Sequence, residues 1–266
     1  KKLKAKHRLA LTGTPIENNL SELWSIFDFL MPGYLYSYTH FRRFFETPIV
    51  KDNNEDKQKQ LRAMVEPFIL RRVKKDVLLD LPDKIEKTLR VEFSEAEEEL
   101  YTAKLVQGNK EVQAILGEDR IDNIEILKFL GELRQICCDP RMIYPEFPHV
   151  SSKVKACIEL VTPMVQSKQK VLIFSSFFKT LDLLEIEMRK RNIKYHMLTG
   201  SNTKEERKEL VNKFQKDDST VFLISLKAAG VGLNLTAAEN VIHFDPWWNV
   251  AAENQARDRA HRIGQK

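Results

Sequence analysis

The stretch "KVLIFSSF", residues 170–177, is a near-continuous apolar run closed by two serines, and "TLDLLEIEMRKRN" (180–192) behind it carries its apolar residues at helical spacing. The alternation repeats. "IKYHML" (193–198) precedes the helical "TKEERKELVNKFQ" (203–215), and "TVFLISL" (220–226) and "NVIHFD" (240–245) supply two more strand-like runs. Strands that are apolar at successive positions, without a polar alternate, are buried on both faces. The segment from Ser152 onward therefore predicts βα units on a parallel sheet, an α/β fold. Thr203 with Glu206 reads as a capping box at one helix start.

The first half has a different texture. "RLALT" (8–12) reads as one buried strand, followed by the turn "GTP" and a helix capped near Asn19, with Leu20, Leu23, Trp24, Phe27 and Leu30 on one face. Beyond it, aromatic and charged stretches with few strand signals run to about residue 150. Ser94 with Glu97 opens another helix, and Pro140, Pro145 and Pro148 mark a linker. One strand cannot form a sheet, so the chain is expected to begin inside a larger α/β domain and to stop short of the end of its second one.

Composition narrows the function classes. The chain has 266 residues, 42% of them hydrophobic and 30% charged, enough for two ordinary soluble domains. No apolar run approaches the roughly 18 residues of a membrane span, and "KKLKAKHRLA" has no signal-peptide pattern. A cytoplasmic or nuclear protein, neither secreted nor membrane-bound, is expected. Cys137, Cys138 and Cys157 form an odd set without CxxC spacing, which points to buried reduced thiols. The six histidines, His7, His40, His149, His196, His243 and His261, have no ligand spacing, and no metal is assigned. A net charge of +5 permits a polyanionic partner without demanding one.

The segment "QARDRAHRIGQ" (255–265) raises a sharper question. As a helix it places Gln255, Arg259 and Arg262 along one edge. Arg257 has Glu253 four residues before it, but Arg259 finds no acid three or four positions away on either side. A solvated, helix-stabilising face explains Arg257. An external anion is the natural partner for Arg259, and the spacing alone does not decide between the two readings. A nucleotide-hydrolysing site also needs a phosphate cradle with a lysine and carboxylates for magnesium. None of the nine glycines opens a GxxxxGK[ST] pattern, so this stretch of chain alone is not expected to hydrolyse ATP.

Taken together, "ALTGTPIENNLSELWSIFDFLMPG" (10–33), "RRVKKDVLLDLPDK" (71–84), "LRQICCDP" (133–140), "KVLIFSSF" (170–177), "SLKAAGVGLNLTAAENVIHFDPWWN" (225–249) and "QARDRAHRIGQ" resemble the Swi/Snf family of DNA-translocating ATPases, a branch of helicase superfamily two. The resemblance spans essentially the whole chain. It implies two RecA-like lobes with ATP and Mg2+ between them in the complete enzyme, and double-stranded DNA across them. By that resemblance, residues 1–30 are the tail of the first lobe, 31–150 are helical insertions and linker, and 151–266 form a RecA-like parallel-sheet second lobe. The P-loop and acidic motif would then lie on the missing first lobe, no nucleotide is expected on this chain alone, and protein–DNA complexes would be the substrates.

The resemblance also assigns residues. Arg259 and Arg262 would reach the ATP phosphates as catalytic arginines, with Gln255 and Gly230 on the same nucleotide side. Thr12, Gly13 and Thr14 would couple nucleotide state to DNA contact, with a simple strand-to-helix turn as the alternative role. Ser225, Lys227 and Asn234, together with Gly230, Gly232 and Thr236, lie in a glycine-bearing loop whose amides could approach a DNA phosphate. Ser176, Thr199 and Gly200 occupy loops at corresponding strand ends, although the family commonly carries an acid where Thr199 stands. Trp248 would touch nucleic acid or the other lobe, and of the pair Trp247 and Trp248 one is expected in the core. Arg71, Arg72, Lys74 and Lys75 suit either DNA contact, a solvated helix face or bracing between lobes. Two rival readings remain: a non-enzymatic DNA-binding or scaffolding fragment, and an RNA helicase of the same superfamily, which the "RIGQ" ending and long insertions disfavour. One consequence is testable at once: the amides of residues 8–12 should exchange far faster than those of "VFLISL" in a monomeric preparation, and equal protection would contradict the unpartnered strand.

Overall fold

A computed structural model describes residues 5–13, 15–16, 19–70, 85–116, 123–229, 233 and 235–247. The chain divides into two compact units, Lys1–Leu79 and Asp80–Lys266.

In the first unit, helix α1 (Leu20–Leu30) begins where expected, with the Asn19 side chain accepting from the Glu22 amide. It buries Leu23 and Phe27 against Leu35, Phe41, Phe45, Leu61 and Val65, with Leu20 and Trp24 packed at the edge of that cluster. Phe41 closes a short helix α2 (Tyr38–Phe41), which runs through a π-helical turn (Arg42–Glu46) into α3 (Thr47–Lys51). The wider turn has a local cause: Pro48 lacks an amide and its ring crowds the carbonyl four residues earlier, so the hydrogen-bond register shifts just before it. Helix α4 (Glu55–Val65) and a 3₁₀ turn (Glu66–Phe68) complete the described part of the unit.

One expectation is overturned here. Residues 7–12 are not a buried strand; they form irregular chain, with Leu9 80% and Leu11 91% exposed. The described residues of this unit include no other strand, so the "RLALT" backbone has no ladder to join.

The second unit opens with two helices packed together, α5 (Glu95–Leu116) and α6 (Asn123–Cys138), then a 3₁₀ turn (Pro140–Met142) and α7 (Ser152–Gln166). The α/β part follows as β1 (Val171–Ser175), α8 (Phe178–Lys190), β2 (Tyr195–Leu198), α9 (Lys204–Lys216), β3 (Val221–Ser225), α10 (Leu226–Ala229) and β4 (Asn240–His243). All pairings are parallel, in the order β2-β3-β1-β4. Alternation in β1 then sorts its side chains. Val171 and Ile173 join Val154, Ile158, Val161, Leu181 and Leu184 of α7 and α8 on one face, whereas Leu172 and Phe174 join Phe214 of α9 on the other. This is the two-sided burial that the apolar runs predict. The Thr203–Glu206 capping box is present with both reciprocal bonds. Lys170 fastens the opposite end of α9: its Nζ donates to the carbonyls of Phe214 (2.5 Å), Asp217 (2.9 Å) and Ser219 (2.9 Å), a cation set on a helix C-terminus. The three cysteines are free thiols, and burial pushes those of Cys138 and Cys157 up to about 12.

Glu97 does more than cap its own helix. Its side chain, in a residue 2% exposed, accepts from the Ser94 amide (2.9 Å) and hydroxyl (2.7 Å), and also from the Ser152 amide (2.9 Å) and hydroxyl (2.5 Å). One carboxylate thus closes the N-termini of α5 and α7 together. Burial alone would raise its pKa, but the bonds from Ser152 and Ser94 outweigh that and hold it below the ordinary value. A depressed folded-state pKa stabilises the fold above the unfolded carboxyl's value of 4.5 and loses that contribution as the pH falls through the folded value. Glu97→Gln should therefore cost about 2 kcal/mol at neutral pH, with the gap to the parent shrinking as the pH falls below 4.5; urea melts on either side of that pH measure it. A pH-independent gap would assign the loss to packing instead.

Candidate nucleic-acid interface at the carboxyl edge of the sheet

Because every strand runs the same way, all four carboxyl ends emerge at one edge. Ser175 pairs in register with Ser225, Leu198 with Ile224, and Phe174 with His243. The residues that follow immediately, Ser176, Thr199 and Gly200, Lys227, and Asp245 to Trp247, are thereby gathered from four separate stretches of sequence. Open parallel sheets bind ligands at this edge.

The individual side chains differ in what they can still offer. The Ser225 hydroxyl is buried and has no hydrogen-bond partner among the described residues. Such an orphan costs roughly 1–3 kcal/mol and is relieved by a ligand or water. Lys227 is exposed on α10, just after β3. Thr199 is turned into its own loop: its amide donates to Asn202 Oδ1 (2.8 Å), its hydroxyl meets Ser201 Oγ (2.7 Å), and Arg207 donates to the carbonyls of Thr199 (3.3 Å) and Gly200 (3.4 Å). Thr236 does not join this edge: it lies in a turn just before β4, at the opposite, amino end of the sheet, where the Ala237 amide donates to Gln215 Oε1 (3.1 Å) near the end of α9 and the Glu239 amide to the Lys170 carbonyl (3.1 Å).

Ser176 is committed elsewhere. Its amide donates to both oxygens of Asp245 (3.1 and 3.2 Å) and its hydroxyl makes a short bond to Asp245 Oδ2. Ser175 Oγ donates to Asp245 Oδ1 at 2.6 Å. Asp245 and Arg134 were not among the residues singled out from the sequence. Arg134 reaches from α6 to donate to the Pro246 carbonyl (2.5 Å), lies 3.8 Å from Asp245 Oδ2, and sits over the rings of Phe177 (5.3 Å) and Trp247 (5.4 Å). The available signals were an acid just past a buried strand in "HFDP" and the arginine of "LRQICCDP". Trp247 packs on the sheet core, as expected of one tryptophan of the pair.

Thr12 and Gly13 belong to the first unit, in its irregular segment. Thr14, Gly230, Gly232, Asn234, Trp248, Gln255, Arg259 and Arg262 lie outside the described residues, as do Arg71, Arg72, Lys74 and Lys75.

The SNF2-related domain matches residues 1–142, more than half of the chain, and the helicase conserved C-terminal domain matches residues 152–264. The chain belongs to the SNF2 family. A putative ATP-dependent helicase/translocase, YwqA, of Bacillus subtilis is 41% identical over 274 residues, covering 100% of this chain and 30% of that protein. The human SWI/SNF-related matrix-associated actin-dependent regulator of chromatin subfamily A member 1 is 35% identical over 281 residues, covering 100% of this chain and 26% of its own length. Among solved structures, the Sulfolobus solfataricus SWI2/SNF2 ATPase core in complex with dsDNA is 38% identical with a TM-score of 0.60, covering 99% of this chain and 56% of that one. The RecA-like α/β architecture is thus that of the SNF2 ATPase core, and this chain spans about a quarter to a third of the two relatives' length.

Two of the motif glycines in the described residues, Gly13 and Gly200, are not demanded by local sterics. A Cβ at Gly13 or Gly200 would meet nothing within 4 Å, whereas Gly33 holds φ +84 in the left-handed region. Gly13→Ala and Gly200→Ala should shift unfolding free energy by less than about 0.5 kcal/mol, and Gly33→Ala should cost about 1 kcal/mol, read from urea denaturation.

Proposed function

We propose that this chain is the C-terminal part of a DNA-dependent ATPase that moves along double-stranded DNA and remodels protein–DNA complexes, acting in the nucleus or on the bacterial nucleoid. The observation that carries this reading is the gathering of the buried Ser225 hydroxyl, which has no partner among the described residues, the exposed Lys227 and the loop after β2 at one carboxyl edge of a parallel sheet. Hydroxyls, strand-end backbone and a lysine are groups that grip phosphates and read no base, which suits movement along any sequence. In this reading, residues 1–30 end the first lobe, 31–150 form insertions and linker, and 151–266 form the second lobe. Thr12, Gly13 and Thr14 couple nucleotide state to DNA, Ser225, Lys227 and Asn234 contact it, and Gln255, Arg259 and Arg262, with Gly230, face ATP held on the first lobe.

Among the described residues, no group of three His, Cys, Asp or Glu side chains is placed to hold a metal ion. In this reading the magnesium that accompanies ATP is held by the first lobe. No described helix is long and apolar enough to cross a membrane. This chain alone should bind duplex DNA weakly, with an affinity that falls steeply with salt, and should not turn over ATP.

The test lies in the arginines. In the complete protein, Arg259→Ala and Arg262→Ala should each lower DNA-stimulated turnover by roughly 10³-fold or more while DNA affinity stays near the parent value. Arg257→Ala, a change worth only a few tenths of a kcal/mol if Arg257 pairs with Glu253, should be nearly silent. ATP turnover at saturating DNA, with binding measured at matched salt, reads both. Turnover within a few-fold of the parent for Arg259→Ala and Arg262→Ala would overturn the assignment.

A further inference from the structure

We infer that Arg134, Asp245 and Ser176 form a joint that locks the loop after β1 to the segment after β4, which makes Arg134 and Asp245 positioning residues for coupling DNA contact to hydrolysis. This rests on reading the carboxyl edge as the DNA-facing side.

The backbone ladder between β1 and β4 ends with the Phe244 amide donating to the Phe174 carbonyl at 2.9 Å. Past that point the two segments are held by side chains. Asp245, in a residue 2% exposed, collects the Ser175 hydroxyl, the Ser176 amide and the Ser176 hydroxyl. A carboxylate has about four acceptor positions, and a buried one needs them filled and its charge balanced. Arg134 supplies the balance at 3.8 Å, with its guanidinium held between Phe177 on one segment and Trp247 on the other. Its bond to the Pro246 carbonyl spans 112 residues of sequence and ties α6 to the same point.

The donor count reassigns Ser176. A serine hydroxyl carries one hydrogen, and a phosphate oxygen can only accept. With that hydrogen and the Ser176 amide both on Asp245, and the Phe177 amide on Ser175 Oγ at 3.1 Å, neither residue of this loop has a donor left for DNA. Ser176 therefore acts as a tie, and what the loop contributes to DNA binding is its placement. In sequence the segment leaving β4 continues to Arg259 and Arg262, so on the proposed reading the joint ties the loop after β1 to the stretch of chain that carries the ATP-facing arginines.

The experiment uses the complete protein and compares turnover with and without duplex DNA. The ratio of the two rates does not change when a variant merely lowers the folded fraction, so it separates coupling from stability. Arg134→Met, Arg134→Lys, Ser176→Ala and Asp245→Asn should each lower that ratio about fivefold or more. Lysine should fail because it keeps the charge but loses the planar fork between the two rings. The double variant Arg134→Met with Ser176→Ala should be no worse than the poorer single one, since both break one unit. If Asp245→Asn does not fold, the partly exposed Arg134 and the small change at Ser176 still decide. A stimulated parent whose Arg134 and Ser176 variants keep its ratio overturns the joint alone. Ser176→Ala that raises only the DNA concentration for half-stimulation restores Ser176 as a direct phosphate contact and also overturns it. A parent that DNA does not stimulate overturns the functional reading and this role with it.

Discussion

Parallel strands cannot be joined by tight turns, and the helices that make the crossovers must cover both faces of the sheet. Most of the second unit follows from that constraint. β1 sits between β3 and β4 and sends Val171 and Ile173 to one helical layer and Leu172 and Phe174 to the other. A strand in that position has no room for a polar residue until it ends. In the two inner strands, β1 and β3, polarity therefore begins abruptly, at Ser175 and Ser225, and the common strand direction brings these two together with Thr199 and Asp245 to one edge. The candidate site is a consequence of sheet polarity, assembled from residues far apart in the chain.

Two buried carboxylates show how the elements around the sheet are fixed. Glu97 takes donors from the starts of α5 and α7, and Asp245 takes them from the loop after β1 while facing Arg134 of α6. A carboxylate is tolerated in such surroundings only where several donors converge on it, so each one ties together the segments that supply those donors. Lys170 does the complementary work for a cation at the end of α9, where backbone carbonyls would otherwise point outward unpaired. Membership of the SNF2 family accounts for the order of motifs along the chain; these three residues account for how the described elements around the sheet are pinned.

Much of this was legible in the sequence because the relevant physics is local. The apolar runs at 171–175 and 221–225, the Asn19 cap, the Ser94–Glu97 pair and the Thr203–Glu206 box all involve residues within a few positions of one another, and each appears where the pattern placed it. The same local rules misread "RLALT". Its composition is that of a strand, but a strand exists only with a partner, and no pattern inside five residues can say whether one is present.

Ser176 makes the same point at the site. The sequence determined that a serine follows β1 at the carboxyl edge, and hence that a hydroxyl would stand among potential phosphate ligands. Only the tertiary structure decided that this hydroxyl is already spent, because its acceptor, Asp245, lies 69 residues away and Arg134 meets Pro246 across 112. Periodicity and capping are set by dihedral angles and bonds within a turn or two of chain. Which buried charge finds which donor depends on strand order and crossover, and those are fixed only when the whole sheet closes.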